Sequence, residues 1–299
     1  MMSKIRLFFL FCVVFAHNMF SQTTDVWDFG ATQLDNTLFI NRLNETTINS
    51  WYDASITPGS ASTSNTMPVS FTSGPLTWVG AASDRLRTTN TAITRYDNNI
   101  ASVTSYNGRV YCNGNSVLSS GSPTSRYFIV NLAEDDEVTI IARGDTAGLL
   151  SFVYQSNPAS QTDTFPITAT AGSITEVKFV AKQAGNYLIY DTTSKASFYR
   201  IYRKDAVYTT VTGTIDVSQA PGISDGYSIV FTNAAGKSWT AQINSGVYNV
   251  NVPVGYSYEI SLLNASGYII TTGDSFDTTG VITPTVNHPI AIAAVSLYT

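Results

Sequence analysis

The densest run of ionisable side chains in the 299-residue chain is Glu134-Asp135-Asp136-Glu137. Two carboxyl groups converging about 5 to 10 Å apart in a cleft are what glycoside hydrolysis requires. Four acids in a row between two strand patterns read instead as a solvated hairpin turn. A structural calcium is the alternative, because hard cations take clustered carboxylate and carbonyl oxygens. Asp84 with Asp97, and Asp28 with Asp35, are equal candidates as calcium ligands, and no other cofactor is expected. Nucleophilic chemistry has little to draw on. Cys12 and His17 lie in or beside an N-terminal apolar stretch, so its removal leaves one cysteine, Cys112, and one histidine, His288. A zinc site of four cysteines, or of paired cysteines and histidines, is then excluded, as is an intrachain disulfide framework. A Ser-His-Asp triad would have a single histidine available. His288, in Asn287-His288-Pro289, reads as a surface or turn residue, and Cys112 as a small buried hydrophobe. No Gly-rich phosphate loop occurs, so the expectation is a protein without catalytic activity.

Aromatic side chains are the richer resource: 17 Tyr, 15 Phe and 4 Trp make 12% of a chain in which charged residues are also only 12%. Sugars present apolar C–H faces that stack on rings, and their hydroxyls need planar polar partners such as Asn, Asp, Gln and Arg. Trp78, followed by Ser83-Asp84-Arg85-Leu86-Arg87, is the first candidate for such a site. Tyr106-Asn107-Gly108-Arg109 is the second and Arg126-Tyr127 the third. Trp27 and Trp51 read as core residues, Trp78 carries the same competing reading, and Trp239 beside Lys237 reads as cover for a strand. Nucleic acid is excluded as a partner, since a phosphate-binding surface needs clustered Lys and Arg. The nearest approaches are Asp84-Arg85-Leu86-Arg87 and Tyr199-Arg200-Ile201-Tyr202-Arg203-Lys204, the latter reading as an edge or surface strand.

The elements that must position these residues are strands. Residues 1–21 first set themselves apart as a secretory signal peptide: Lys4 and Arg6, an apolar run from Leu7 to Ala16, and a small-residue cleavage point at Ser21-Gln22. The run is too short to span a bilayer and no later segment is apolar enough. The segment holds two of the 16 basic residues and none of the 21 acidic ones, so the exported chain carries about −7. Beyond residue 100, period-two alternation takes over in 127–132, 138–143 and 176–181, with turn clusters at 134–137, 143–145 and 183–186. A short helical turn, capped by Thr46 or Thr47, is expected through Tyr52, and residues 53–66 read as a surface loop. A boundary falls near Lys204-Asp205-Ala206. After it come strands and hairpin turns only, with Asn233-Ala-Ala-Gly236 and Asn244-Ser-Gly246 as turns and Val295–Thr299 as the last strand.

Within 207–299 the order Gly246-Val-Tyr248-Asn-Val250-Asn-Val252-Pro253-Val-Gly255-Tyr256-Ser-Tyr258 resembles prealbumin-like or carboxypeptidase-regulatory-like sandwiches, which serve as spacers in secreted proteins. Residues 25–205 carry Val26-Trp27-Asp28-Phe29-Gly30-Ala31, Ile48-Asn-Ser-Trp51-Tyr52, Leu76-Thr-Trp78-Val-Gly80, Asp84-Arg-Leu86-Arg87, Tyr106-Asn-Gly108-Arg-Val-Tyr111, Thr124-Ser-Arg126-Tyr-Phe128 and Ser197-Phe-Tyr199-Arg-Ile201-Tyr202. In order and spacing these resemble the jelly-roll, carbohydrate-binding-like module of secreted Bacteroidetes pectate lyases and pectin esterases. The catalytic β-helix of those proteins has no counterpart here, so its activity does not transfer.

The expectation is therefore an all-β chain of two antiparallel β-sandwiches: a signal peptide at 1–21, a jelly roll at 22–205 and a prealbumin-like spacer at 206–299. The expected function is a secreted or cell-surface protein that binds or positions pectic polysaccharide through Trp78, Asp84, Arg85, Arg87, Tyr106, Asn107, Arg109, Arg126 and Tyr127. Its partner would be a catalytic lyase or esterase. Two alternatives stand beside this: a structural or adhesive surface protein with no sugar site, and a fragment of a longer lyase or esterase.

Overall fold

The computed structural model describes residues 24–29, 39–43, 47, 51, 64–88, 108–170, 173–223, 226–280 and 284–295. The expected leader at 1–21, the candidates Asp35, Asp97, Tyr106 and Asn107, and residues 296–299 lie outside the described residues. Of the expected helical turn, Thr47 has helical geometry and Trp51 lies in a turn.

The fold is all-β, built from several largely antiparallel sheets. In the eight-stranded sheet the order is Thr175–Val180, Glu137–Arg143, Ser197–Lys204, Gly108–Tyr111, Arg85–Thr88, Ser64–Thr66. Thr24–Asp28 also pairs with Ser197–Lys204 and carries Phe39–Asn41 as a parallel neighbour. A six-stranded sheet runs Thr162–Ile167, Gly148–Tyr154, Gly185–Asp191, Tyr127–Leu132, Leu76–Val79, Ser70–Ser73. Alternation decides which faces meet. Phe128, Val130 and Leu132 of one sheet, and Val138, Ile140 and Ala142 of the other, enter one hydrophobic cluster with Trp27, Trp78, Leu86, Val110, Phe152 and Phe198. The ring series Trp78, Phe128, Phe198, tilted and then edge-to-face with centroids 4.7 and 5.0 Å apart, ties the sheets together. Each such ring contributes on the order of 1.5–3 kcal/mol through burial.

The strand Ser197–Lys204 corrects the expectation of an edge or surface strand, since it has neighbours on both sides. Opposite it, Ile141 pairs with Arg200 and Ala142 with Phe198, which leaves Tyr199 as the extra residue of a β-bulge. The bulge resets the alternation so that Phe198 and Ile201 both enter the core. Arg200 faces the other way and is nevertheless fully buried, with Nη2 2.7 Å from Oδ2 of Asp28 and Nη1 donating to the Tyr202 hydroxyl at 2.6 Å.

Residues from 208 onward form a second six-stranded sheet, Gln242–Asn244, Val247–Pro253, Tyr208–Gln219, Ile290–Ala294, Tyr268–Thr272, joined by Thr285–Asn287. They also form a four-stranded sheet, Ser238–Thr240, Ser228–Asn233, Ser257–Leu263, Ser275–Asp277. Both sheets contribute to a separate core around Phe231, Tyr248, Tyr258 and Ile290. Tyr208–Gln219 pairs parallel with Thr285–Asn287 and Ile290–Ala294, so the sheet is mixed. The last described strand ends at Ala294, ahead of the expected 295–299.

The acidic run also departs from expectation. Glu134 and Asp135 form the expected turn and Glu134 is exposed, but Asp135 and Asp136 are only 4% and 2% exposed. Asp136 accepts from the Ala133 and Ala206 amides at 2.8 and 3.0 Å and from Arg203 Nη2 at 2.8 Å. Asp135, held at φ 68°, pairs with Lys237 and accepts from the Tyr208 hydroxyl at 2.7 Å, while Lys237 Nζ also reaches Glu134 at 2.8 Å. Asp135 and Asp136 can be buried because Lys237 and Arg203, far along the chain, meet them where the two cores adjoin. A cleft of about 90 Å³ lined by Asp135, Glu137, Lys204, Asp205 and Tyr256 lies beside this joint.

Candidate functional site

The strands Arg85–Thr88 and Gly108–Tyr111 form an antiparallel pair in which Leu86 meets Val110, both wholly buried in the core. Alternation then sends the residues on either side of them to the outer face of the eight-stranded sheet. Arg85 stands opposite Tyr111, and Arg87 opposite Arg109. One strand further on, Tyr111 is opposite Ser197. Arg85 is exposed, while Arg109 and Tyr111 are half-buried. The Arg109 guanidinium lies 5.9 Å from the centroid of the Tyr199 ring, a cation–π distance that limits the freedom of the arginine.

Two of the expected residues, Arg85 and Arg109, are thus brought to one face by register, with Tyr111 and Tyr199 as additions, while the backbone of Arg87 stands opposite that of Arg109. Their signal was legible in outline. Arg109-Val110-Tyr111 alternates as Arg85-Leu86-Arg87 does, but only the pairing shows that the two alternations share a face. Guanidinium groups present a planar fork of donors that matches a carboxylate in two-point fashion. On a chain of net charge −5 this face is a local reversal of sign.

The remaining expected residues go elsewhere. Trp78, a ligand candidate with a competing core reading, is core: it is 0% exposed, tilted against Phe128, and has no face to offer a ligand. Gly80 is part of the reason the indole fits, since a Cβ there would lie 2.5 Å from Trp78 Nε1. Asp84 and Arg126 were expected as sugar-binding groups, but they hold each other. Arg126 Nε donates to Asp84 Oδ1 at 2.8 Å, and Asp84 also accepts from the Ala81 and Asn113 amides at 2.6 and 2.9 Å. Arg126, at φ 62°, further reaches Ser83 Oγ at 3.1 Å, so the pair fastens three loops together. Tyr127 lies on the outer face of the other sheet, half-buried opposite Tyr190. Tyr106 and Asn107 lie outside the described residues.

Among the described residues, no three His, Cys, Asp or Glu side chains gather as a metal-holding group. Asp28, Asp84, Asp135 and Asp136, the described calcium candidates with tight contacts, each face an Arg or Lys instead. Cys112 is buried, and burial, with Asp84 adding to it, raises its thiol pKa well above the usual value, which keeps the sulfur protonated. His288 is half-buried against Phe276, with Nε2 3.1 Å from the Gly273 carbonyl oxygen. No helix among the described residues is long and apolar enough to cross a membrane. No protein-family model matches the chain, and the search of curated proteins finds no match.

Proposed function

We propose that the protein binds a carboxylate-bearing polysaccharide of pectic type through the outer face of the eight-stranded sheet. Arg85 and Arg109 engage the carboxylates, and Tyr111 offers an apolar surface to the sugar. One observation supports this: the register that pairs Leu86 with Val110 in the core and so sets Arg85, Arg109 and Tyr111 on the opposite face. In this reading residues 1–21 direct export, residues 22–205 form a carbohydrate-binding jelly roll, residues 206–299 form a prealbumin-like spacer, and a separate lyase or esterase supplies the chemistry.

Affinity electrophoresis and calorimetry against polygalacturonan test it. Each charge-assisted pair is worth about 1.5–3 kcal/mol, so an Arg85→Ala/Arg109→Ala variant is expected to bind at least about tenfold more weakly. Retention by polygalacturonan that equals retention by an uncharged glycan, or that the double variant leaves intact, would sink the proposal. Release of uronides by the purified protein would show it to be an enzyme.

A second reading, a structural or adhesive protein whose parts are spaced rigidly, draws on the Lys237 and Tyr208 contacts with Asp135 that bind the two cores at their junction. It predicts no retention by any glycan.

A further inference from the structure

The cleft at the joint takes one wall from each core. Glu137 and Lys204 come from the eight-stranded sheet, Val254 and Tyr256 from the segment that leads into the strand Ser257–Leu263, and Val207 lies on the connection between them. Junctions of this kind are where small ligands preferentially lodge. Glu137 stands directly opposite Lys204, and its neighbour Val138 enters the core, so both charged side chains leave the sheet on its outer face. At about 90 Å³, below the roughly 300–1,000 Å³ of pockets that enclose drug-sized ligands, the cleft holds one face of a single ring rather than a chain.

Four charged side chains line it, and two of them are already engaged. Asp135 holds Lys237 and the Tyr208 hydroxyl, and Asp205 lies 2.7 Å from Arg203 Nη2. Glu137 has only long contacts, 3.4 Å from Thr139 Oγ1 and 4.0 Å from Lys178 Nζ. Among the described residues, Lys204 Nζ and the Tyr256 hydroxyl have no hydrogen-bond or ion-pair partner. Burial first, and then Glu137 and Asp135, push the Tyr256 pKa up to about 12. At neutral pH the phenol therefore keeps its proton near two carboxylates while bonding to neither.

These groups select the occupant. Lys204 repels a metal ion, and the carboxylates of Asp135, Glu137 and Asp205 repel an anion. A zwitterion fares no better: cross-strand neighbours have Cβ atoms about 5 Å apart, so each of its charges would sit beside a like charge as well as its partner. A hydroxyl meets neither difficulty, because it accepts from Lys204 and donates to Glu137 at once, and the phenol serves a second hydroxyl in either role. Val207, Pro253 and Val254 add an apolar wall for C–H groups. We infer that the cleft binds one uncharged sugar unit, its adjacent hydroxyls on Glu137, Lys204 and Tyr256 and its C–H face on the apolar wall. The site shares no residue with the arginine face and has the opposite preference, for a neutral rather than a carboxylate-bearing sugar.

Saturation-transfer NMR and calorimetry on the purified full chain test this, with methyl galactoside, methyl glucoside and methyl mannoside as probes beside galacturonate and glycine. At least one methyl hexoside is expected to bind, more tightly than galacturonate or glycine, and to slow amide exchange in both 204–207 and 254–256. Tyr256→Phe, which removes one neutral hydrogen bond, is expected to weaken that binding about two- to tenfold, and Glu137→Ala at least about tenfold. Arg85→Ala/Arg109→Ala is expected to leave it unchanged, which separates this site from the proposed glycan face. The inference is overturned if no methyl hexoside binds, if galacturonate or glycine binds more tightly, or if folded Tyr256→Phe and Glu137→Ala proteins bind as the wild type does. The exchange data decide the matter even if a variant fails to fold: wild-type binding that leaves either segment unprotected overturns it.

Discussion

Arg200 and Asp28 sit 2.7 Å apart with both side chains sealed from water, on the side of the sheet that faces away from the main core. A buried ion pair gains little over well-packed apolar side chains of the same size, because desolvation offsets the attraction. Removing one partner is another matter, since the charge left behind has lost its counterion and cannot be rehydrated. Arg200→Met is therefore expected to cost about 3–5 kcal/mol, seen as a lower urea midpoint. The double variant Arg200→Met/Asp28→Leu is expected to recover most of that loss. Equal stability of wild type and Arg200→Met would mean that the pair is solvated. The Asp84–Arg126 pair has the same logic, and it explains why two residues that look like ligand-binding groups in sequence are absorbed by the scaffold: an acid beside a strand and an arginine forty-two positions later become visible as partners only when three loops converge.

Among the elements, the strands of the second core are distinguished by buried phenols. Tyr248 and Tyr258 are almost wholly buried, and Tyr258 donates to the Pro253 carbonyl at 2.6 Å. Burial raises the pKa of both well above the usual tyrosine value. Half-buried Tyr256 is pushed up to about 12, by burial first and then by Glu137 and Asp135. A tyrosine whose pKa is raised by folding stabilises the fold fully below its unfolded value of about 10, and that contribution is lost as pH rises through the folded value. For Tyr256 the window is thus about pH 10 to 12. Alkaline titration followed by phenolate absorbance and circular dichroism is expected to show these phenols ionising late, together with loss of strand signal from 208–295. Ionisation near pH 10 with the fold intact would refute this. At this scale the sequence was highly legible. Alternation located Tyr127–Leu132, Glu137–Arg143 and Thr175–Val180, and turn residues located the hairpins at 233–236 and 244–246. Those signals are local, whereas the bulge at Tyr199 and the parallel pairing of Tyr208–Gln219 depend on distant strands and left no local mark.

For the molecule as a whole, the acidic run 134–137 is the joint between the two cores. Asp136 secures the end of the strand Ser197–Lys204 through Arg203 and caps the connecting segment through the Ala206 amide. Asp135 and Glu134 grip Lys237, whose ammonium also lies 5.1 Å from the Trp239 ring. Unfolding of the two cores is then coupled through this contact. Lys237→Ala is expected to leave each core folded and to split one calorimetric transition into two, the part around Phe231 melting first. A single unchanged transition would show that the joint carries no coupling energy.

The amino-acid order alone determined that this chain is built of strands and where several of them run, because period-two patterning is a property of neighbouring residues. Tertiary structure decided which side chains are absorbed by the scaffold. It buried Trp78, paired Asp84 with Arg126, turned an acid-rich turn into a joint, and set Arg85 and Arg109 on one face. The reason is that exposure and charge pairing depend on which strands lie side by side, and pairing brings together residues that the sequence keeps many positions apart.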